Sequence, residues 1–358
     1  QIIMSTLIER PESEEMDVES SDLSNDSAVQ VITEETTLEE NPEAVLVDGV
    51  DVDALHERLE VEREPKKQLS QNAMERQEIL AYFSPDRLAW KNVDWIVAGW
   101  MIAMHVGALI APFYFTWQAF GVAVVLHWLT CSIGICLAYH RCLSHRSLRL
   151  KWPAKVVATF FGVIAGEGGP LRWTATHRVH HGQSDQEGDP HSPLEDAWWS
   201  HLWWMMLNHP KRKDELLFKH YVPDLTKDKT LVFFEKTFPL WLWGTGLTLL
   251  YFGGLPMLLW GLCVRVVLAY HSTWLVNSAT HLWGYRNYET TDASRNLWWV
   301  AVAAYGEGWH NNHHAHPRLA RAGHKWWELD PTWWAISFLR LIGQAVDVDD
   351  RIPEPSKS

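Results

Sequence analysis

The chain has 358 residues and a formal net charge of −13, carried almost wholly at one end: residues 1–70 hold 20 Asp and Glu against 5 Lys and Arg. This balance offers no basic footprint for nucleic acid, and four cysteines, Cys131, Cys136, Cys142 and Cys263, form no CxxC pair, which excludes a disulfide framework and a thiolate zinc site. Residues 1–70 also contain no Trp, Tyr or Phe, so residues 1–86 are expected to be an acidic, disordered extension with at most a short helix around Val52 to Glu64.

From Trp95 to Tyr139 there is no Asp, Glu, Lys or Arg, a length that suits two membrane helices of about 20 residues each. They are placed at 93–115 and 119–140, joined by a link containing Pro112. A second hairpin is expected from 234–252, the turn Gly253, Gly254, Leu255 and Pro256, and then 257–277. Arg265 falls inside the last span and needs a partner there. Between the hairpins, Trp152 to Ala165 is apolar but too short to cross, and reads as a helix lying in the interface. Trp-Trp pairs beginning at 198, 203, 298, 326 and 333 suit a headgroup belt.

The fold class that follows is all-α and integral to the membrane: four transmembrane helices in two hairpins, with a cytoplasmic helical cap, over residues 87–345, followed by a tail at 346–358. If both hairpins enter from one side, the charged segments and both termini share that side, and its Lys and Arg make it cytoplasmic by the positive-inside tendency.

That same side carries the histidines. His140 and His145 stand in HRCLSH, His177, His180 and His181 in HRVHH, and His310, His313 and His314 in HNNHH. Residues three and four apart share a helical face, so each H-x-x-H-H segment presents three imidazoles along one stripe. His140 and His145 are five apart, which places His145 beyond the end of the helix that carries His140. His281 lies just past the fourth span, and Asn277, four residues earlier, faces the same way. Nine imidazoles exceed the needs of one ion and divide over two. Imidazole alone suits zinc, copper, iron and nickel; the lack of thiolate and the ligand count favour iron, and with iron, oxygen chemistry.

The HRCLSH, THRVHH, NSATH and GEGWHNNHH segments, with GGPLRW, SDQEGDPHSP and TWLVNSATHLWG in order between them, resemble the histidine boxes of the membrane fatty-acyl desaturases of the delta-9 acyl-CoA and acyl-lipid type. The resemblance covers roughly residues 90 to 345. It implies an O2-dependent enzyme that places a cis double bond, at delta-9, in a saturated acyl chain. It also implies two iron ions held by His140, His145, His177, His180, His181, His281, His310, His313 and His314, with Asn277 holding a coordinated water. Trp173, Thr273 and Trp274 are then expected to line the acyl tunnel, and Asp189 and His191 to orient ligating imidazoles.

Animal members carry an Arg-Asp pair before the second box, where this chain has Ala175 and Thr176. The wording is closer to the cyanobacterial, plant and bacterial branch, and the substrate is expected to be acyl-CoA or acyl-lipid. Lys211, Arg212 and Lys213 form a basic run that either binds phosphate or faces a membrane surface. The acidic extension lacks the aromatic core of a haem domain, so electrons are expected from a separate donor, by analogy ferredoxin or a b-type cytochrome. A membrane di-iron hydroxylase is the alternative enzyme. A metal transporter or sensor is the non-enzymatic one, though it calls for ligands in mid-membrane.

Overall fold

The structure, a computed structural model, describes residues 71–208 and 210–352; the short helix expected around Val52 to Glu64 lies outside the described residues. The first apolar helix, α1 (Trp95–Ile110), starts at Asp94, whose carboxylate accepts the backbone N–H groups of Ile96 and Val97, orphan donors that a helix start must otherwise leave to solvent. It continues as a tighter turn over Ala111–Tyr114. Helix α2 (Trp117–Trp128), capped by Thr116, runs without a break into a π-helical segment, Leu129–Ser144.

A two-stranded ribbon pairs β1 (Arg149–Leu150) with β2 (Ala345–Val346), Arg149 opposite Val346. Between these strands come α3 (Trp152–Val163), α4 (Pro170–Gln183), α5 (Ala197–His201) and α6 (Lys211–Tyr221). The long α7 (Lys229–Leu258) passes through a π turn, Leu259–Val264, into α8 (Arg265–Leu282). Three short helices follow: α9 (Trp298–Ala303), α10 (His310–Ala315) and α11 (Pro331–Leu341).

The described residues are mostly helical, and among them three continuous helices are long and apolar enough to cross a bilayer: Trp95–Tyr114, Trp117–Ser144 and Lys229–Leu282. The last has 54 residues, about 80 Å if straight, against a hydrocarbon core of about 30 Å. It is not straight. Gly254 sits at φ 63°, ψ −159°, a backbone state open to glycine. The arms on either side fold back on each other, Gly246 packing on Leu262 and Gly261 on Leu249. The reversal falls within the expected Gly253–Pro256 turn.

Arg265 is fully buried and finds its partners in backbone: Nη1 donates to the Ile164 carbonyl at 2.5 Å and Nε to that of Gly261 at 3.1 Å. Both acceptors come from irregular backbone, the end of α3 and the π turn, which supplies carbonyls that a regular helix would keep for itself. Helix α3 covers the stretch expected to be a short apolar helix. One face packs on the π-helical segment so closely that a Cβ on Gly134 would stand 2.3 Å from the Gly162 nitrogen.

Two boundaries differ from expectation. Residues 71–80 are helical, and Ile79 and Phe83 are buried in the same core as Leu216 and Leu217. Burying each such side chain stabilises by about 1.5–3 kcal/mol, so the ordered region starts before residue 86. Glu75 pairs there with Lys219 and His220, each at 2.6 Å, and Glu78 with Arg212 at 2.5 Å. The basic run is therefore occupied, since Lys213 is itself buried 4.0 Å from the Phe83 ring centroid and Lys211 faces Glu215. At the other end the ordered chain passes 345: Val346 is in β2, and Asp347, Asp349 and Asp350 bind Arg149, Ala320 N–H and Arg340.

The Gly134 contact generates a prediction. Gly134→Ala forces the π segment off α3 and should destabilise by about 1–3 kcal/mol, whereas Gly121→Ala, where an added Cβ meets nothing within 4 Å, should be neutral or better. Thermal inactivation of the two purified variants checks this; equal midpoints would show that the close packing is not a constraint.

Candidate metal centre

Four segments deliver the nine histidines. The π-helical segment supplies His140 near its end and His145 as the residue that caps it, its N–H bonding back to the His140 carbonyl five residues earlier. His145 lies just past the helix, as its spacing suggests. Because π winding repeats every five bonds rather than four, both rings face the same way, their centroids 4.8 Å apart. Helix α4 supplies His177, His180 and His181, α8 supplies His281, and α10 supplies His310, His313 and His314.

These residues sort into two groups, each with one ligand atom per residue and all those atoms within 4.8 Å of one another. His140, His145, His177, His181 and His313 form the first; His180, His281, His310 and His314 form the second. The H-x-x-H-H spacing explains the division. In each helix the i, i+4 pair turns to one group, His177 with His181 and His310 with His314. The residue between, His180 or His313, reaches the other group, so α4 and α10 bridge both.

Within the groups the nitrogens are close. Nε2 separations are 2.8 Å for His145 and His177, 3.0 Å for His181 and His313, and 3.1 Å for both His140 with His313 and His281 with His310. Two nitrogens each about 2.1 Å from one ion and at right angles to each other stand about 3.0 Å apart. Nε2 of His180 and of His314 are buried without a hydrogen-bond partner. Burial, and then the neighbouring imidazoles, hold His177, His181, His310 and His313 well below the ordinary histidine pKa, in the neutral form that binds metal.

Carboxylates fix the opposite ring nitrogens. Nδ1–H of His180 donates to Asp189 at 2.9 Å, that of His281 to Asp185 at 2.7 Å, and that of His314 to Asp292. This sets the tautomer and turns each Nε2 lone pair inward. Asp185, Asp189 and Asp292 stay ionised: burial opposes their charge, but the histidines they hold, with other hydrogen bonds, keep their pKa values below the usual range. Glu307 lies 2.9 Å from His140 Nδ1 and accepts from Arg141 Nε at 3.0 Å. Burial opposes its ionisation too, yet Arg141 and then His140 hold it at about 2. Arg141 is buried and forks onto Asp330 at 2.9 and 3.0 Å, tying the His140 end of its helix to the start of α11.

Asp189 thus hydrogen-bonds His180, while the His191 side chain hydrogen-bonds none of the nine histidines. Its Nδ1 is 3.9 Å from Asp189, outside hydrogen-bond range, and its ring packs 4.3 Å from that of His180. Asp185, Asp292 and Glu307 were not singled out by sequence. The available signal was general: a ligating imidazole needs an acceptor on its other nitrogen, and Asp185 and Glu307 stand inside the SDQEGDPHSP and GEGWHNNHH segments. The two asparagines of HNNHH are structural. Asn311 and Asn312 are fully buried and bond Asn287, Tyr288, Asn296 and Glu328, which fixes α10 in place.

A cavity of about 540 Å³ reaches the first group, bordered by His177, Asn277 and mostly apolar side chains. Trp173, Thr273 and Trp274 all line it. So does Glu167, unremarked in the sequence, which accepts from Trp173 Nε1 at 3.0 Å and Thr273 Oγ1 at 2.7 Å and clamps the two walls together. Burial pushes its carboxyl up to about 7 against those two hydrogen bonds.

The sequence that builds this site matches the fatty acid desaturase family model over residues 115–338. The chain belongs to the fatty acid desaturase family. Among curated relatives, the sn-2 palmitoyl-lipid 9-desaturase of Nostoc sp. (strain 36) is 43% identical over 273 residues, 76% of this chain and 95% of the relative. The sn-1 stearoyl-lipid 9-desaturase of Anabaena variabilis is 43% identical over 260 residues, 72% and 94% of the two chains. The delta-9 acyl-lipid desaturase 1 of Arabidopsis thaliana is 40% identical over 269 residues, 75% and 87%. Like them, the desaturase described by this structure is an oxidoreductase acting on fatty-acyl chains.

The carboxylate–histidine pairs predict that Asp189→Asn, Asp185→Asn and Asp292→Asn each lower metal affinity about 10–100-fold while the protein still folds. Competition with a chelator, read by metal retained per chain, measures this; unchanged retention in all three variants would remove the carboxylates from the site's design.

Proposed function

We propose that this desaturase is an integral membrane enzyme that introduces a cis double bond at delta-9 of a saturated acyl chain carried on a membrane glycerolipid. The observation that carries this is the direct contact between the apolar cavity and the five-histidine group. The acyl-lipid names of the relatives favour a lipid over acyl-CoA as the carrier, and Ala175 and Thr176 at the positions of the animal Arg-Asp pair agree with them.

The nine histidines fit two ions of octahedral or five-coordinate preference, by number and by the spacing of their converging ring nitrogens. We assign iron, with His140, His145, His177, His181 and His313 on one ion and His180, His281, His310 and His314 on the other, and Asn277 holding a water beside them. When bound, two irons supply the activation of O2 that removes hydrogen from an unactivated methylene pair. The balance is one O2, two electrons and two protons taken up, two C–H bonds lost, one C=C bond formed and two waters released. The electrons come from a separate protein donor of ferredoxin or b-type cytochrome class.

The chain's own residues do the positioning. Asp185, Asp189 and Asp292 hold the imidazoles rigid, which keeps the reacting atoms in one geometry. Trp173, stacked on His177 at 5.1 Å, and Thr273, both tied to Glu167, set the wall against which the acyl methylenes lie. Trp274, buried behind them, excludes water. The folded-back arms at Gly254 support a reading with four crossings in two hairpins. The histidine cap, both termini and the donor then lie on the cytoplasmic side.

Expression in a host lacking its own desaturase, followed by double-bond mapping in separated lipid classes, tests the reading. It predicts delta-9 monounsaturated chains in glycerolipid. His180→Ala and His313→Ala, one from each group, should lower product more than 100-fold while the protein still inserts. Hydroxy-acyl product without new unsaturation, or full activity in either variant, would overturn it.

A further inference from the structure

The acyl cavity has an outlet that the reaction does not by itself require. Of the residues bordering it, those exposed on the outside of the molecule are Ile96, Gly99 and Ala103 on α1 and Pro239 and Trp243 on α7. Ile96 is 86% exposed and Trp243 64%. All five are apolar, and both helices belong to segments apolar enough to cross a bilayer. Their neighbours on the outer surface, Ile102, Val106 and Leu109 on α1 and Leu240 and Leu247 on α7, are also exposed and apolar, so the slit between the helices faces hydrocarbon rather than water. At its cap end stand Asp94, which starts α1, and Arg172, which is ion-paired with Asp214.

Resting on the desaturase reading above, we propose that this slit is a lateral portal through which the acyl chain of a glycerolipid enters the cavity directly from the bilayer, its ester and headgroup staying at the polar rim. Three observations fit that occupant. Gly99 and Ala103, four residues apart on one face of α1, leave a gap where side chains would otherwise fill it; a Cβ on Gly99 would meet nothing within 4 Å. Across the gap α1 and α7 touch through two large rings, Trp100 and Trp243, T-shaped with centroids 6.1 Å apart. Trp100 is also pinned from behind, its Nε1 donating to the Tyr270 hydroxyl at 2.9 Å, which in turn donates to the Gly166 carbonyl at 2.7 Å. The cavity's 540 Å³ holds on the order of 18 groups of about 30 Å³, the share of a water molecule in the liquid, enough for one long acyl chain. A chain that remains esterified can then keep its headgroup at the polar rim, which an opening along the length of the helix permits and an end-on tunnel would not.

The test closes the slit. Wild type, Gly99→Trp, Ala103→Trp and, as a control on a lipid-exposed surface of α2 that does not border the cavity, Val125→Trp are reconstituted with an electron donor in liposomes of saturated phosphatidylcholine or monogalactosyldiacylglycerol. Two readouts are taken: desaturation of the liposome lipid, and retention of a radiolabelled saturated glycerolipid by the purified protein. The portal predicts that the two slit variants insert and hold metal like wild type, yet lose at least tenfold in rate and in retained lipid, with Val125→Trp within twofold of wild type on both. Gly99→Leu, smaller and entering open space, gives an intermediate loss and guards against misfolding of the larger variant. Slit variants that retain lipid as wild type does, or an equal loss in Val125→Trp, would overturn the portal. Wild type that desaturates neither added acyl-CoA nor lipid would instead overturn the desaturase reading, and the lipid-retention comparison would still decide the portal.

Discussion

Ring nitrogens 2.8–3.1 Å apart in a buried interior must either share a proton or surround a cation, and the packing of the four histidine-bearing segments depends on which they do. In water such imidazoles would take up protons and separate. Here burial holds His145, His177, His181, His310 and His313 in the neutral form, and three aspartates fix His180, His281 and His314 from their Nδ1 side, so the rings stay crowded. A bound cation satisfies them. The same logic explains why α4 and α10 have identical histidine spacing: each must serve two ions at once, and only an i, i+4 pair with a third residue between them does so from one rigid helix.

The membrane helices supply the second half of the design. His140 and His281 lie near the ends of the two long apolar segments that carry them. Irregular helix occurs in both segments. The π-helical winding of Leu129–Ser144 brings His145 into line with His140, and the π turn at Leu259–Val264 gives the buried Arg265 a carbonyl to bind. The first departure from α geometry acts at the histidine groups, which accords with the general placement of π segments at functional positions; the second serves a buried charge elsewhere in its helix.

Much of this was legible in the sequence because it depends on spacing and composition. The uncharged run from Trp95 to Tyr139 marks the first two long apolar helices, and GGLP marks the reversal at Gly254. The H-x-x-H-H repeats mark the metal groups, since spacing on a helix is geometry. The rest depended on contacts between distant segments. Nothing local in the sequence pairs Asp292 with His314 or Asp185 with His281, so those carboxylates read as ordinary loop acids. Glu167 looked like part of a glycine-rich bend until the fold brought Thr273 beside it. Ile79 and Phe83 sit in a stretch whose charge suggests disorder, and only the complementary Lys219, His220 and Arg212 from α6 show why it orders. Lys211, Arg212 and Lys213 were ambiguous for the converse reason: their partners, Glu78, Phe83 and Glu215, lie mostly in that same stretch.

The central claim is that nine imidazoles form two metal positions, not one and not a hydrogen-bonded histidine core. The most direct measurement is iron titrated under reducing, anaerobic conditions into metal-free protein in detergent, with bound iron counted per chain and its environment read by Mössbauer spectroscopy. Two irons per chain in nitrogen-rich, inequivalent environments are predicted. Saturation at one iron, or a folded protein that takes up none, would contradict the account.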